Sequence, residues 1–521
     1  MSMERLLALC LVLSGLAWAA APAMARDCGG TVFADLDGDG RRAAGEPGIG
    51  GVAVSDGRRV ALTDAAGRYA LPGAASATVF VVKPAGYRVR VRGDGLPDFH
   101  RAGCGDFALL PAAAAAERTR VLVFSDPQVG SEEEVEYYGR DIVEPASRHR
   151  GFDLGLTLGD IVNDAPALYP LINARTARLG LPWLHVAGNH DIDLPMPVDA
   201  ASLRSFSAAY GPDTFAWEEA HASFVVLDNV IALPGERPAY VGGLREDQFA
   251  FLEAWLPHAA RGRLLVVAAH VPWFDTAEPG RPATMRAADR ERLFALLRDV
   301  PQVLLLSGHR HTQRQFFHDA ASGWHGAGRL HEYNVGAASG AFWSGVARAN
   351  GVPDATMADG TPNGYATLEV GPGGRYALAW QPSKLDGGDR SMTAAMALHA
   401  PAVLRRGAWP AWGVWANVFM GHEGTRVEYR IGDGAWRPMT KVEAADPRLL
   451  VENVRDDLAP ALRGRDRTPE AEPSAHLWRG TLATDLAAGA HRVEVRTFDD
   501  AGSEHRAWLD YRLAEYPPDP G

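Results

Sequence analysis

Five apolar runs in the middle of the chain each stop at a short polar block, and that recurrence limits what the chain can fold into. The runs are Val121-Leu122-Val123-Phe124, Leu154-Gly155-Leu156-Thr157-Leu158, Trp183-Leu184-His185-Val186-Ala187, Leu264-Leu265-Val266-Val267-Ala268 and Val303-Leu304-Leu305-Leu306. Short continuous apolar segments bounded by turn residues read as strands buried on both faces. Helical patterns lie between some of them, at 247–256 and 289–297, so an α/β core with neighbouring strands is expected from Arg120 to about Gln381. Loops that follow such strands share one sheet edge, and residues far apart in sequence meet there.

The polar blocks are Asp126-Pro127-Gln128, Gly159-Asp160-Ile161-Val162-Asn163, Gly188-Asn189-His190-Asp191, His270 and Gly308-His309-Arg310-His311. Singly, each has an ordinary reading, since Asp-Pro forms turns and a lone histidine after an apolar run usually packs. Together, in this order and each at a strand end, they resemble the calcineurin-like metallophosphoesterase signature. Hydrolysing a phosphate ester needs a strong nucleophile at neutral pH and cancellation of charge on the phosphoryl oxygens, and two divalent cations roughly 3.5–4 Å apart supply both.

The resemblance implies that Asp160 bridges the two ions. It assigns Asp126, Gln128, Asp160 and His311 to the first metal and Asp160, Asn189, His270 and His309 to the second. His190 matches the histidine that sits beside the metals without binding one and assists the leaving oxygen, with Asn163 orienting it by hydrogen bonding. Asp164 and Asp191 are expected behind these ligands. The mixed oxygen and nitrogen donors suit Mn, Fe or Zn. One block departs from the pattern: Asp-x-His is usual, and here Gln128 takes the place of the histidine. An amide oxygen is a harder, weaker donor than imidazole, which shifts the first metal toward Mn, Mg or Fe. Trp273, Trp343, Arg310 and Arg314 either shape a substrate pocket or simply pack. No G-x-S-x-G elbow, phosphate-binding G-x-x-x-x-G-K-[ST] loop or H-E-x-x-H helix occurs, which leaves two-metal hydrolysis of a small or polymeric phosphate ester as the enzymatic reading. The alternative from another class is an exported binding or scaffold protein whose central domain has lost its chemistry.

Residues 1–25 join Arg5 to an apolar stretch from Leu6 to Ala20 and end in Ala23-Met24-Ala25, the pattern of a signal peptide cleaved before Arg26. The stretch is short for a membrane span and no stop-transfer flank follows, so a periplasmic or secreted protein without a transmembrane anchor is expected. Of three cysteines, Cys10 leaves with the signal. Cys28 and Cys104 remain as one pair, and closing a loop of that length adds roughly 4 kcal/mol in the chain-entropy model. A net charge of −12 argues against nucleic acid held by bulk electrostatics. The sequence does not specify the oligomeric state.

The flanks read differently from the centre. Residues 26–111 alternate short β-rich runs with turns and predict a small β-sandwich. Within it, Asp35-Leu36-Asp37-Gly38-Asp39-Gly40 with Glu46 at the twelfth place has calcium-loop spacing. The strand-like flanks resemble the B-type repeats of bacterial surface adhesins, which implies structural calcium held by Asp35, Asp37, Asp39 and Glu46. The central phosphoesterase-like domain is expected over 118–383, and a second β-sandwich over 390–516. The fold class is thus multidomain α/β, a metallophosphoesterase sandwich between two β-sandwiches.

Overall fold

The computed structural model describes residues 28–74, 77–103, 105–112, 116–275, 284–385 and 387–516. The signal-peptide pattern, Cys104 and part of the 112–117 linker lie outside them. Two sheets form the centre. In the first, Trp183–His185, Leu154–Thr157 and Thr119–Phe124 run parallel, and Gly364–Val370 and Tyr376–Pro382 complete it antiparallel. In the second, Ala222–Val226, Leu264–Ala268, Val303–Ser307 and Leu330–Asn334 run parallel, with Phe215–Glu218 and Arg314–His318 antiparallel at the two edges. All five apolar runs are strands, and each ends within three residues of its polar block.

Side-chain alternation assigns the layers. Val121 and Val123 share a core with Val267 and Leu305 of the second sheet, whereas Leu122 and Phe124 pack outward against Val135, Tyr138 and Ile172. The second sheet is covered in turn by the helices Glu246–Trp255 and Ala287–Leu297, through Phe249, Leu252, Leu293 and Phe294. The centre is therefore two sheets face to face with helices outside both. The Gly-Pro-Gly-Gly segment at 371–374 turns the chain between two strands that pair from Gly364↔Pro382 to Val370↔Tyr376.

Ahead of it, two four-stranded sheets face each other, one built on Cys28–Ala34 and the other on Ala53–Ser55. Their strands include Tyr87–Arg88, His100–Ala102 and Phe107–Pro111. Cys28 is fully buried and disulfide-bonded. This unit is tied to the centre by Lys83, whose buried Nζ donates to the Glu218 carbonyl at 2.7 Å and pairs with Glu219 at 2.7 Å.

After the centre, a four-stranded and a five-stranded sheet enclose the last core. The segment read there as uniformly β contains a helix, Pro447–Leu458. Its start is encoded: Asp446 caps the N-terminus by accepting from Arg448 N–H, and proline occupies the first turn, where no amide is needed. His476 of this unit reaches Asp359 of the centre at 3.1 Å, both buried.

Candidate metal centre

Main-chain pairing carries the ladder past the strand ends and gathers the polar blocks. Asp126 N–H donates to Gly159 O, Gln128 N–H to Asp160 O and Gly308 N–H to His270 O. Five of the seven predicted ligands then take left-handed backbone: Asp126 (φ 46°), Gln128 (42°), Asp160 (47°), His309 (72°) and His311 (49°). For residues with a Cβ that conformation costs about 1 kcal/mol or more each, and the surrounding ladder holds it. Two glycines permit the close approach. A Cβ at Gly188 would stand 2.2 Å from Asp160 N and Oδ1, and one at Gly308 would stand 2.1 Å from Ser125 Oγ.

The donor atoms converge. His270 Nε2 lies 3.1 Å from Asn189 Oδ1, 3.3 Å from Asp160 Oδ2 and 3.3 Å from His309 Nδ1. His311 Nε2 stands 3.5 Å from Asp126 Oδ1. Atoms bound about 2.1 Å from one shared ion would be roughly 3.0–3.4 Å apart at octahedral to tetrahedral angles. The far sides of the rings are fixed. His270 Nδ1–H donates to Leu158 O and His311 Nδ1–H to Gly340 O, each at 2.8 Å, leaving the Nε2 atoms facing inward. Asp160, His270 and His309 form one of two groups of at least three acidic, histidine or cysteine side chains, among the described residues, close enough to share an ion.

Gln128 supplies the sharpest test of fit. Its Oε1 is buried without a hydrogen-bond partner, an arrangement that costs roughly 1–3 kcal/mol unless a cation is its partner. The donor set of carboxylates, amide oxygens and imidazoles matches divalent ions of the Mn, Fe and Zn type. Without metal, burial opposes charge on His270 but Asp160 outweighs it and raises the imidazole to about 9, so a proton takes the cation's place. Burial opposes charge on Asp160, but His270 and His190 outweigh it and hold the carboxyl below its ordinary value. Burial first, and then the charge on His270, lower His309 to about 4.

His190 stands beside this cluster, its amide donating to Asp160 Oδ1 at 2.8 Å. Its orienting partner is Asp164, not Asn163: His190 Nδ1 lies 3.1 Å from Asp164 Oδ1. Asn163 N–H is spent on Val129 O, and its side chain lies beside Gly130, whereas left-handed Asp164 (φ 55°) turns back and donates its own N–H to His190 O. Asp191 sits behind the ligands as expected. Buried, it accepts from the amides of Gly188, Ile161 and Val162 and from the Tyr169 hydroxyl, and burial pushes its carboxyl up to about 7.

The aromatic and basic candidates divide. Trp273 and Trp343 are buried, Trp343 donating to Pro127 O, so both pack. Arg310 pairs with Asp275 at 2.9 Å, and Arg314 lies over the rings of Phe274 and Phe316. A cleft of about 1120 Å³ opens from His309 past Arg310 and Arg314, and its far wall includes Lys441 and Glu472 of the last sandwich.

Three contributors escaped the sequence reading. Tyr240 brings its hydroxyl to 3.4 Å from His309 Nε2, across a hairpin that no local pattern announces. Phe342 lays its ring 4.5 Å from that of His311. Asn229 accepts the amides of His270 and Val271. A signal for Asn229 existed, because Phe224-Val225-Val226-Leu227 stops at Asp228-Asn229 as the five other runs stop at theirs.

At the front of the chain, Asp35, Asp37 and Asp39 come together. Glu46 is not grouped with them: its two carboxylate oxygens accept the amides of Leu36 and Ala43 at 2.8 Å each, so it braces the loop.

Comparison with known proteins agrees with the geometry. Three family models match in succession: the N terminal of calcineurin-like phosphoesterase over residues 37–104, calcineurin-like phosphoesterase over 119–313, and the C terminal of calcineurin-like phosphoesterase over 332–505. No curated protein matches. Among solved structures the chain is similar to a purple acid phosphatase from yellow lupin (Lupinus luteus) seeds, with 13% identity and a TM-score of 0.38. That match covers 61% of this chain and 59% of the lupin protein, less than two thirds of its length, and a likeness so distant carries no argument. What carries weight is that the matched models follow one another along the chain and the central one spans all five polar blocks in full. The chain belongs to the calcineurin-like phosphoesterase family.

Proposed function

We propose that the chain hydrolyses phosphate mono- or diesters at a dinuclear metal site and works outside the cytoplasm. The observation that carries the reading is the convergence of Asp160, Asn189, His270 and His309 donor atoms beside the buried, partnerless Gln128 Oε1. Asp126, Gln128, Asp160 and His311 would hold one divalent ion, and Asp160, Asn189, His270 and His309 the other. Bound there, the ions would supply Lewis acidity toward the phosphoryl oxygens and a nucleophile at neutral pH.

The chain's own residues do the rest. Asp160 orients His190 through its amide, and Asp164 occupies His190 Nδ1, so Nε2 is the atom that delivers a proton to the departing ester oxygen. Leu158 and Gly340 fix the tautomers of His270 and His311. The cleft beside His309 has room for an ester with a large second group. The extracytoplasmic location rests on the 1–25 pattern and on the disulfide-bonded Cys28; Cys104 is its proposed partner. Structural calcium in the Asp35 loop belongs to the same reading.

The test is metal analysis of the purified chain with turnover of p-nitrophenyl phosphate and bis(p-nitrophenyl) phosphate in Mn, Fe and Zn separately. Two equivalents of metal, with both metal and turnover lost in Asp160→Asn, are expected. A folded wild-type chain that neither binds metal nor hydrolyses either ester would refute the proposal and leave the non-catalytic binding protein.

A further inference from the structure

The last sandwich carries a second built recess, remote in sequence from every metal-site residue. Its four-stranded sheet pairs Met396–His399 with Gly413–Val418 and the latter with Pro473–Thr481, in a register that sets His399 opposite Trp415 and Trp415 opposite Arg479. Their neighbours Leu398, Ala416 and Trp478 point into the core, so these three side chains share the outer face. The Arg479 guanidinium lies 5.6 Å from the centre of the Trp415 ring. The stack needs Gly413 below it, since a Cβ there would stand 2.7 Å from Arg479 Nε and 3.2 Å from Trp415 Nε1.

The connection at 406–412 raises one wall and presents two indoles to solvent, Trp409 at 88% and Trp412 at 59% exposure. That connection is pinned: Gly407 N–H donates to Thr484 O at 2.6 Å, Thr484 Oγ1 donates to Ala408 O at 3.0 Å, and Leu482 N–H donates to Trp412 O at 2.9 Å. The recess it closes holds about 700 Å³, is lined by the three tryptophans with Arg405, Arg479 and His399, and includes no carboxylate. In a chain of net charge −12, an aromatic recess lined by two guanidinium groups and no acid is a local exception.

These features select an occupant. The volume falls in the range of small-ligand sites, roughly 300–1,000 Å³, and a recess of that size offers less than the roughly 800 Å² that a stable protein partner covers on each side. A bilayer surface would meet the rim and miss the floor. Indoles carried on a pinned backbone offer flat apolar faces with a polar edge, which suit the C–H face of a sugar ring, and guanidinium groups pair with carboxylate, sulfate or phosphate in two-point fashion. We propose that this recess binds an anionic saccharide, with its ring on the indoles and its charge on Arg405 and Arg479.

The experiment is calorimetric titration of the full chain with tetragalacturonate, a heparin-derived tetrasaccharide and mannose 6-phosphate, and with fully methyl-esterified tetragalacturonate as the uncharged control. One saccharide bound per chain is expected from at least one of the three anionic probes. Trp409→Ala combined with Trp412→Ala weakens that binding at least tenfold. Arg479→Gln weakens it about tenfold while leaving the esterified control unchanged. Trp409 and Trp412 are exposed and Arg479 is half-buried on the outer face, so each variant keeps a wild-type far-UV spectrum and a cooperative unfolding transition. Failure of all three anionic probes overturns the proposal, as does binding that the double tryptophan variant does not change. So does capture of phosphatidylglycerol vesicles through the same tryptophans with no saccharide bound. None of these outcomes depends on whether the metal centre hydrolyses esters.

Discussion

Gln128→Leu separates a ligand from a buried defect. Leucine keeps the apolar volume of Gln128 and removes Oε1, the atom that is buried without a hydrogen-bond partner. In the metal-free chain this atom is a liability worth roughly 1–3 kcal/mol, and both residues meet the same left-handed backbone, so the variant should be more stable by about that amount. With metal a cost of opposite sign offsets this gain. An ion at 100 times its dissociation constant stabilises the fold by about 2.7 kcal/mol. If losing Gln128 weakens the site by only 10–100-fold, as the loss of a supporting partner does, that stabilisation falls to about 1.4–0.4 kcal/mol. The assay is thermal or urea unfolding of wild type and variant, each chelated and each loaded with Mn. Gain without metal together with a smaller metal-induced shift is the expected pattern. An unchanged metal-induced shift, with the full metal complement still bound, would remove Gln128 from the ligand set and with it the interpretation of its unpaired oxygen.

Two further predictions concern neighbouring groups. Asp164→Ala should lower kcat roughly tenfold or more with little change in KM, because His190 loses its orienting carboxylate; Asp164→Asn should recover most of the loss and Asn163→Ala should be near neutral, as steady-state kinetics on an aryl phosphate would show. His185, stacked 4.0 Å from Tyr210, has its imidazole pushed down to about 3 by burial. The folded value lies below the unfolded one near 6.5, so this contribution to stability is fully present above about pH 6.5 and is lost as pH falls toward 3; at pH 4.5 the loss is about 3 kcal/mol. His185→Phe should shrink the difference between urea-unfolding free energies at pH 7 and pH 4.5 by about that amount.

What the sequence made legible was the part governed by local rules that repeat. Buried parallel strands need continuous apolar runs, and ligand loops must begin where those runs end, so the edge that gathers Asp126, Asp160, Asn189, His270 and His309 could be read without coordinates. The choice between Asn163 and Asp164 could not. Both are short polar residues in one turn, and what decides is that Val129 claims the Asn163 amide while Asp164 goes left-handed. Glu46 has the right spacing for a calcium ligand, but spacing does not reveal that Leu36 and Ala43 take its oxygens. The helix Pro447–Leu458 was missed inside a β-rich stretch even though Asp446-Pro447 marks its start. There a cap signal should have outweighed the surrounding strand propensity. Trp273 and Trp343 show the reverse error risk: aromatic residues after a strand invite a pocket, and the structure uses both as packing.

The glycines at the sheet edge bear on how such a site can change. Gly188, on the loop after one strand, gives up its side chain to make room for Asp160 on the loop after another, and Gly308 does the same for Ser125 beside Asp126. Each loop is thus cut to the outline of a loop contributed from elsewhere in the chain. Grafting any one of them from a relative, or randomising it alone in a library, would place a new side chain where a neighbour's backbone or ligand already stands. Redesign of metal preference or reactivity here has to treat the loops as a set of interlocking parts exchanged together.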